Sequence, residues 1–204
     1  MTIALVIAIS LFSLAAFKYP VLSARFDLTP FRFVENREYY RIFTHAFLHA
    51  DLGHLVINMI VLLSFGMSVE KILMQLQEYD YITNIYLPYA ILILVGISGS
   101  AVSTIIKHRA EPGYSAVGAS GVVSAIVFMH IFFKPMQKIY FYFAIPIPGI
   151  VFGVLYLIYS SFMRKRRMDN INHDAHIWGA IIGFFFPLAI DPHLLSVFIS
   201  NFKF

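Results

Sequence analysis

Apolar residues come in six long stretches along the chain, separated by shorter segments that carry the charges. Each stretch is close to the ~20 residues that a helix needs to cross ~30 Å of hydrocarbon. The apolar runs lack the alternating pattern of barrel strands, and hydrocarbon offers no water to satisfy a free backbone, so helices are predicted. The predicted spans cover about 1–17, 52–72, 81–106, 114–133, 139–163 and 174–190. The pattern therefore predicts an all-α polytopic membrane protein, a single six-helix bundle over residues 1–204.

The segments around these stretches add detail. The first loop, 18–51, mixes aromatic and charged residues, which is typical of a structured element at the membrane interface. Pro146 and Pro148 each lack a backbone donor and should kink or break the start of the fifth span. The first stretch has no preceding Lys or Arg and a poor cleavage site, so we expect a span there rather than a signal peptide.

Composition agrees with the membrane interpretation. Hydrophobic residues make up 59% of the 204 residues and charged residues 13%, which is more apolar surface than a soluble domain of this size buries. The net charge of +4 comes from Lys and Arg in short loops, where contact with lipid headgroups is favoured over nucleic acid. Because the chain has no cysteine, disulfides, thiol nucleophiles and thiolate metal sites are excluded.

Polar residues gather at one end of the predicted bundle. The second, fourth and sixth helices run in the same direction, so their N-terminal ends share one face. His54 and Asn58 begin the second helix, Ser120 lies early in the fourth, and His176 begins the sixth. With five to eight residues of helix before it, Ser120 should lie roughly 10 Å below the membrane surface. The four side chains are therefore predicted to converge at one depth.

This convergence suggests nucleophilic catalysis. A serine hydroxyl becomes a useful nucleophile when an imidazole takes its proton, so Ser120 and His176 are a candidate dyad. The oxyanion formed by attack on a carbonyl needs preorganised donors. The His54 ring, the Asn58 amide and the backbone N–H of Ser120 are the candidates. The dyad needs no metal and no cofactor.

Small residues would let the two helices of this dyad approach each other. Gly118 and Gly121 precede and follow the serine, and Gly179 and Gly183 form a G-x-x-x-G pattern after the histidine. Asp174 lies two residues before His176 and should point elsewhere on the helix, so a dyad is predicted rather than a triad.

Less specific interpretations stay open for the same residues. Glycine clusters in membrane helices are commonly packing devices, and a lone histidine can serve as interhelical glue. His45, His49 and His54 could form a metal cluster, but Asp51 is the one carboxylate among them, so this reading is disfavoured. His130 and His193 are expected to be satisfied or interfacial histidines. A histidine-lined transporter is a further alternative, but it would need polar groups across the full membrane thickness, whereas here they cluster at one end.

Three ordered motifs resemble the rhomboid intramembrane serine proteases. They are Arg41-x-x-Thr44-His45-x-x-x-His49-x-x-x-x-His54-x-x-x-Asn58, then Gly118-x-Ser120-Gly121, then Ala175-His176-x-x-Gly179-x-x-x-Gly183. The resemblance implies that Ser120 is the nucleophile, that His176 is the base and that His54 and Asn58 are oxyanion donors. It also implies a six-helix core, single-pass transmembrane protein substrates and a mobile fifth helix that gates entry. A non-proteolytic rhomboid-like protein that binds membrane clients is the alternative.

The chain departs from the family pattern at two positions. Tyr40 stands where members commonly have tryptophan beside the arginine, and Ser124 stands where many carry an aromatic residue that packs on the catalytic histidine. Lys and Arg are more numerous on the face of the site, which by the positive-inside rule would place the site in the cytoplasm. The resemblance instead implies a bacterial inner membrane with the site toward its outer face, and we favour this orientation.

Overall fold

The computed structural model of the chain describes residues 1–141, 144–166 and 171–202. Its helices, in chain order, are α1 Thr2–Lys18, α2 Pro20–Phe26, α3 Pro30–Glu35, α4 Arg41–Thr44, α5 Leu52–Glu78, α6 Tyr86–His108, α7 Ser120–Phe133, α8 Gly149–Arg166, α9 His173–Ile190 and α10 Leu194–Ser200. A short 3₁₀ turn, His45–Phe47, follows α4, and the strands β1 Lys138–Phe141 and β2 Ile145–Pro148 lie between α7 and α8.

Three helices in the described part of the chain are long and apolar enough to cross a membrane, namely α5, α6 and α9. The number rises to four if α1 and α2, which meet at a bend of 119°, count as one span. The apolar α7 has 14 residues and is about 21 Å long, shorter than the hydrocarbon core. The structure is thus a membrane-type helical bundle, while six full spans stay a prediction.

Helix α7 is the centre of this bundle. Every residue from Gly121 to Phe133 is buried, and α5, α6, α8 and α9 pack around it. A helix that is apolar on all sides suits either lipid or a protein core, and here the neighbouring helices enclose it. The first residue of this enclosed helix is Ser120, so the fold holds that serine at the middle of the bundle.

The fifth predicted span, 139–163, is wrong at residues 139–141 and 145–148, which lie in strands. Strands β1 and β2 form an antiparallel hairpin there, with Lys138 paired to Pro148 and Ile139 to Ile147. Helix α8 begins at Gly149, directly after the two prolines, because prolines at 146 and 148 cannot donate to a helix and here occupy an edge strand. Residues 142 and 143 of this stretch lie outside the described residues.

The first loop is folded against the helices. Leu28 and Ala116 exchange backbone hydrogen bonds of 2.9 and 3.0 Å, which ties the loop to the segment before α7. Arg41 is buried, donates to Asp27 at 2.7 Å and also pairs with Glu38, whose pKa its hydrogen bond lowers. A buried guanidinium needs such carboxylates, so Arg41 joins the parts of the first loop that carry Asp27 and Glu38.

Candidate active site

Ser120 lies at the N-terminus of α7 rather than inside it. The expectation of five to eight helical residues before it is wrong, because residues 114–119 form an irregular segment. That segment is held by backbone bonds from Ala116 to Leu28 and from the Gly118 N–H to the His45 carbonyl, at 3.0 Å each. The loop thus carries the chain to the start of a short helix, and it does so with its polar groups paired.

The helix starts that meet around Ser120 are capped differently. Asp51 caps α5 by accepting from the His54 N–H at 2.8 Å, and Asn172 caps α9 by accepting from the Ala175 N–H at 3.1 Å. The cap position of α7 is Ala119, whose side chain has no acceptor. The first N–H groups of a helix have no partner within the helix, and together they attract negative charge. The start of α7 is therefore suited to an anionic group beside Ser120.

The His54 ring lies against Gly118. A Cβ at position 118 would lie 2.9 Å from His54 Cε1 and 3.3 Å from Nε2, and the φ of Gly118 is +126°. Any side chain would meet both backbone strain and the imidazole, so glycine is required on two grounds. The His54 ring therefore packs against the chain at Gly118, two residues before Ser120 in sequence.

Asn58 is buried one turn after His54. Its Nδ2 donates to the His54 carbonyl at 2.9 Å. An amide nitrogen carries two hydrogens, so one N–H holds the side chain on α5 while the geometry leaves a second for another acceptor. Asn58 thus shares a helix face with His54, as their spacing predicts.

Helices α7 and α9 touch backbone to backbone. A Cβ at Gly179 would overlap the Gly121 carbonyl, and one at Gly183 would overlap the Ala125 carbonyl. A Cβ at Gly121 would overlap the Ser100 side chain on α6 and lie 3.6 Å from the Ala175 carbonyl. We call these contacts the glycine seam. Because the seam starts at Gly121 and Ala175, it holds the neighbouring residues Ser120 and His176 at the same level.

Aromatic rings surround His176. The Tyr156 ring on α8 stacks on it with centroids 5.9 Å apart and an angle of 15°, and His173 contacts it edge-on at 5.6 Å. Asp174 pairs instead with Lys107 at 2.9 Å and with Arg164 at 3.3 Å. The Asp174 carboxylate is thus directed to these cations.

Two further histidines support the loop behind His54. The Ser13 hydroxyl donates to the Phe47 carbonyl at 2.7 Å, so it accepts from Nδ1–H of His49 at 2.8 Å. The His49 ring then contacts His54 edge-on at 5.0 Å. His45 donates from Nδ1 to the Arg41 carbonyl at 3.0 Å. Burial lowers the pKa of both His45 and His49 to about 4, which keeps these rings neutral.

The remaining predicted histidines are structural or exposed. His130 is buried on α7, bonds Ser68 through Nδ1 at 2.9 Å and contacts the Phe65 ring. His193 is exposed and bonds Asp191 at 2.8 Å. The prediction that these two are satisfied or interfacial is confirmed.

Sequence reasoning missed the contact of Tyr156 with His176. The residue lies in an apolar run with other aromatic residues, and nothing in that run marks the face that meets α9. The Asn172 cap was missed as well, although an Asn just before an apolar helix is a usual N-cap signal.

Comparisons with known proteins agree with the motifs. The family model for the Rhomboid domain matches residues 36–191. "RHOMBOID-like protein 12, mitochondrial" of Arabidopsis thaliana is 31% identical over 157 residues, which cover 69% of this chain and 43% of that protein. "Rhomboid-related protein 1" of Caenorhabditis elegans is 29% identical over 161 residues, covering 75% of this chain and 40% of that protein. The chain thus matches less than half the length of each relative.

The matched region includes α4 to α9, and with them every residue of the candidate site. The apolar helices and this match make the chain an integral membrane protein. On the strength of the domain match, the chain belongs to the rhomboid family.

Proposed function

We propose that the protein is an intramembrane serine endopeptidase that cleaves the transmembrane segments of single-pass membrane proteins. The observation that carries the proposal is the uncapped start of α7 at Ser120, with the His54 ring against Gly118 on one side and the glycine seam to α9 on the other. Family membership supports the same reaction class.

The proposed reaction uses these groups in turn. Ser120 Oγ attacks the scissile carbonyl carbon while His176 takes the hydroxyl proton. The resulting oxyanion is met by the Ser120 N–H, the His54 ring and the Asn58 amide. Collapse of this intermediate breaks the C–N bond, and His176 returns its proton to the leaving amine. In the second half, His176 takes a proton from water as the water oxygen attacks the acyl carbon, and collapse then breaks the ester bond and returns that proton to Ser120 Oγ.

The substrate must present an unwound segment. A helical substrate keeps its carbonyls in internal hydrogen bonds, so cleavage favours residues that form helices poorly, such as Gly and Pro. Small side chains near the scissile bond also suit a site enclosed by α5, α7 and α9. Six spans, and a bacterial inner membrane with the site toward its outer face, remain part of the proposal. One relative has a mitochondrial name, so the comparisons favour no particular membrane.

The test is cleavage of a reporter transmembrane helix by the purified chain in liposomes. We expect Ser120→Ala and His176→Ala to lower cleavage at least about a thousandfold, since each removes a partner of the dyad. Matched controls are Ser64→Ala, at an exposed position of α5, and His193→Ala, at an exposed position after α9. Both controls should keep wild-type activity.

Labelling with a fluorophosphonate separates a protease from a client-binding rhomboid-like protein. We expect the wild type and both controls to be labelled, and Ser120→Ala to remain unlabelled. Undiminished cleavage by Ser120→Ala would reject the mechanism. Capture of the reporter helix without labelling or cleavage would favour the client-binding alternative.

A further inference from the structure

Ser124, one turn after Ser120, links the candidate nucleophile's helix to α8. Its Oγ donates to the Ser120 carbonyl at 2.8 Å and lies 2.7 Å from the Tyr156 hydroxyl. A carbonyl can only accept, so the single hydrogen of Ser124 belongs to that bond. The Tyr156 hydroxyl is therefore the donor to Ser124. A directed chain of hydrogen bonds runs from Tyr156 through Ser124 to the backbone of Ser120.

The other end of Tyr156 contacts the candidate base. Its ring lies nearly parallel to the His176 ring, with centroids 5.9 Å apart. Phe128 on α7 contacts the same tyrosine at 5.7 Å, and Phe152 on α8 contacts it at 6.2 Å. Tyr156 is thus held by rings on two sides and by a hydrogen bond at its tip. Rotation about χ2 of a histidine is otherwise soft, so a fixed flat neighbour restricts the imidazole.

We propose that Tyr156, anchored by Ser124, is the positioning residue for His176. This inference rests on the proposed function. A developing positive charge on the imidazole also gains from the face of an aromatic ring. Because Tyr156 is carried by α8, moving α8 away from α7 and α9 would break the hydrogen bond and the stack together. The base is therefore aligned only while α8 is docked.

The kinetic test uses variants that remove the ring, the hydroxyl or the anchor. We expect Tyr156→Leu to lower kcat about tenfold or more with KM changed less than about twofold, because misplacing a catalytic group by about 1 Å can cost ~100-fold. Tyr156→Phe keeps the ring and should lose about threefold, as should Ser124→Ala, since each removes the same hydrogen bond. The double variant should be no worse than either single variant.

The matched control is Phe162→Leu, because Phe162 lies on the same helix and is 50% exposed, and its ring faces the Arg166 guanidinium rather than the histidines. It should stay within about twofold of wild type if only the stacked ring matters. Equal kcat values for Tyr156→Leu and Phe162→Leu would overturn the positioning role. Additive losses of kcat in the Ser124→Ala/Tyr156→Phe double variant would show that the Ser124–Tyr156 hydrogen bond does not anchor the ring. If Tyr156→Leu does not fold, this comparison decides the proposal.

A second readout needs no activity. In the Ser120→Ala protein, the ring ¹H–¹³C resonances of His176 should shift on Tyr156→Leu, because the ring current of the stacked phenol is lost, and should not shift on Phe162→Leu. Unchanged His176 resonances would overturn the stacked arrangement. If the His176 resonance shifts but the wild type neither cleaves the reporter nor reacts with the fluorophosphonate, the stacked arrangement stands and the proposed function is overturned.

Discussion

The two neighbours of α7 that frame His176 are held in contrasting ways. On the α9 side, Gly179 and Gly183 rest directly on backbone carbonyls of α7, with no side chain between. On the α8 side, the contacts are made by side chains. The ends of the Phe128 and Ile131 side chains lie against Gly153, and the Tyr156 hydroxyl bonds Ser124. Backbone contacts cannot relax without moving a helix, whereas side chains can rotate. We therefore expect α9, which carries the proposed base, to be held more firmly against α7 than α8 is.

Among single substitutions, the largest expected effect on stability comes from breaking the seam. Gly183→Ala places a methyl group on the Ala125 carbonyl, which cannot move without α7, so we expect a loss of about 3 kcal/mol in the free energy of unfolding. Unfolding in detergent micelles, followed by circular dichroism, measures it. Fluorophosphonate labelling of Ser120 should fall in parallel.

Gly153→Ala is the matched change on the α8 side. Its Cβ would lie 3.3 Å from the Ile131 Cδ1 and Phe128 Cε1 atoms, which are side-chain ends. Their small shift is offset by the better helix propensity of alanine, so the net change should stay below about 1 kcal/mol. Equal losses for Gly153→Ala and Gly183→Ala would contradict the contrast between the two sides.

Low pH should destabilise the first loop, which carries His45 and His49. His45 and His49 have pKa values of about 4 in the fold and an ordinary value near 6.5 when unfolded. Above pH 6.5 both states are neutral and the stabilisation is complete. Between 6.5 and 4 the unfolded chain takes up protons that the fold refuses, so stability falls as the pH falls, by on the order of 3 kcal/mol per histidine. Below about pH 4 the loss levels off.

Unfolding at pH 7.5, 6, 5 and 4 in micelles measures this dependence. His49→Asn keeps a donor for Ser13 but removes one titrating ring, so the fall in stability between pH 6.5 and 4 should be roughly halved. Identical slopes for the wild type and His49→Asn would show that His49 is not the group that titrates.

The seam was readable from sequence, whereas the α8 side was not. The spacing of Gly179 and Gly183 after His176 places all three on neighbouring parts of one face, and small residues around Ser120 predict a close partner helix. These are local periodicities. The contact of Tyr156 with His176 depends on how α8 is rotated, and a run that is apolar on every side has no periodicity to set that rotation.

The starts of α7 and α8 were also beyond the sequence pattern. Short apolar runs fit a strand as well as a helix, so Pro146 and Pro148 indicated a break but not a hairpin. Ser120 begins its helix because the loop before it is tied to Leu28 and His45, which are distant in sequence. Propensity alone does not contain such tertiary bonds.

The smallest expected effect concerns the ion pairs of Asp174, one of which involves the C-terminal end of α8. Arg164 on α8 and Lys107 on α6 share Asp174 on α9, and both cations are 41% exposed, so each pair contributes less than about 1 kcal/mol. Of these two pairs, the one between Arg164 and Asp174 joins α8 to α9. If entry of a transmembrane substrate requires α8 to part from α9, Arg164→Gln should raise reporter cleavage about twofold, while Lys107→Gln should not. The gain should vanish in high salt, where the wild-type pair is already screened. A rise of equal size in both variants would mean that the charge of the surface, rather than the docking of α8, controls entry.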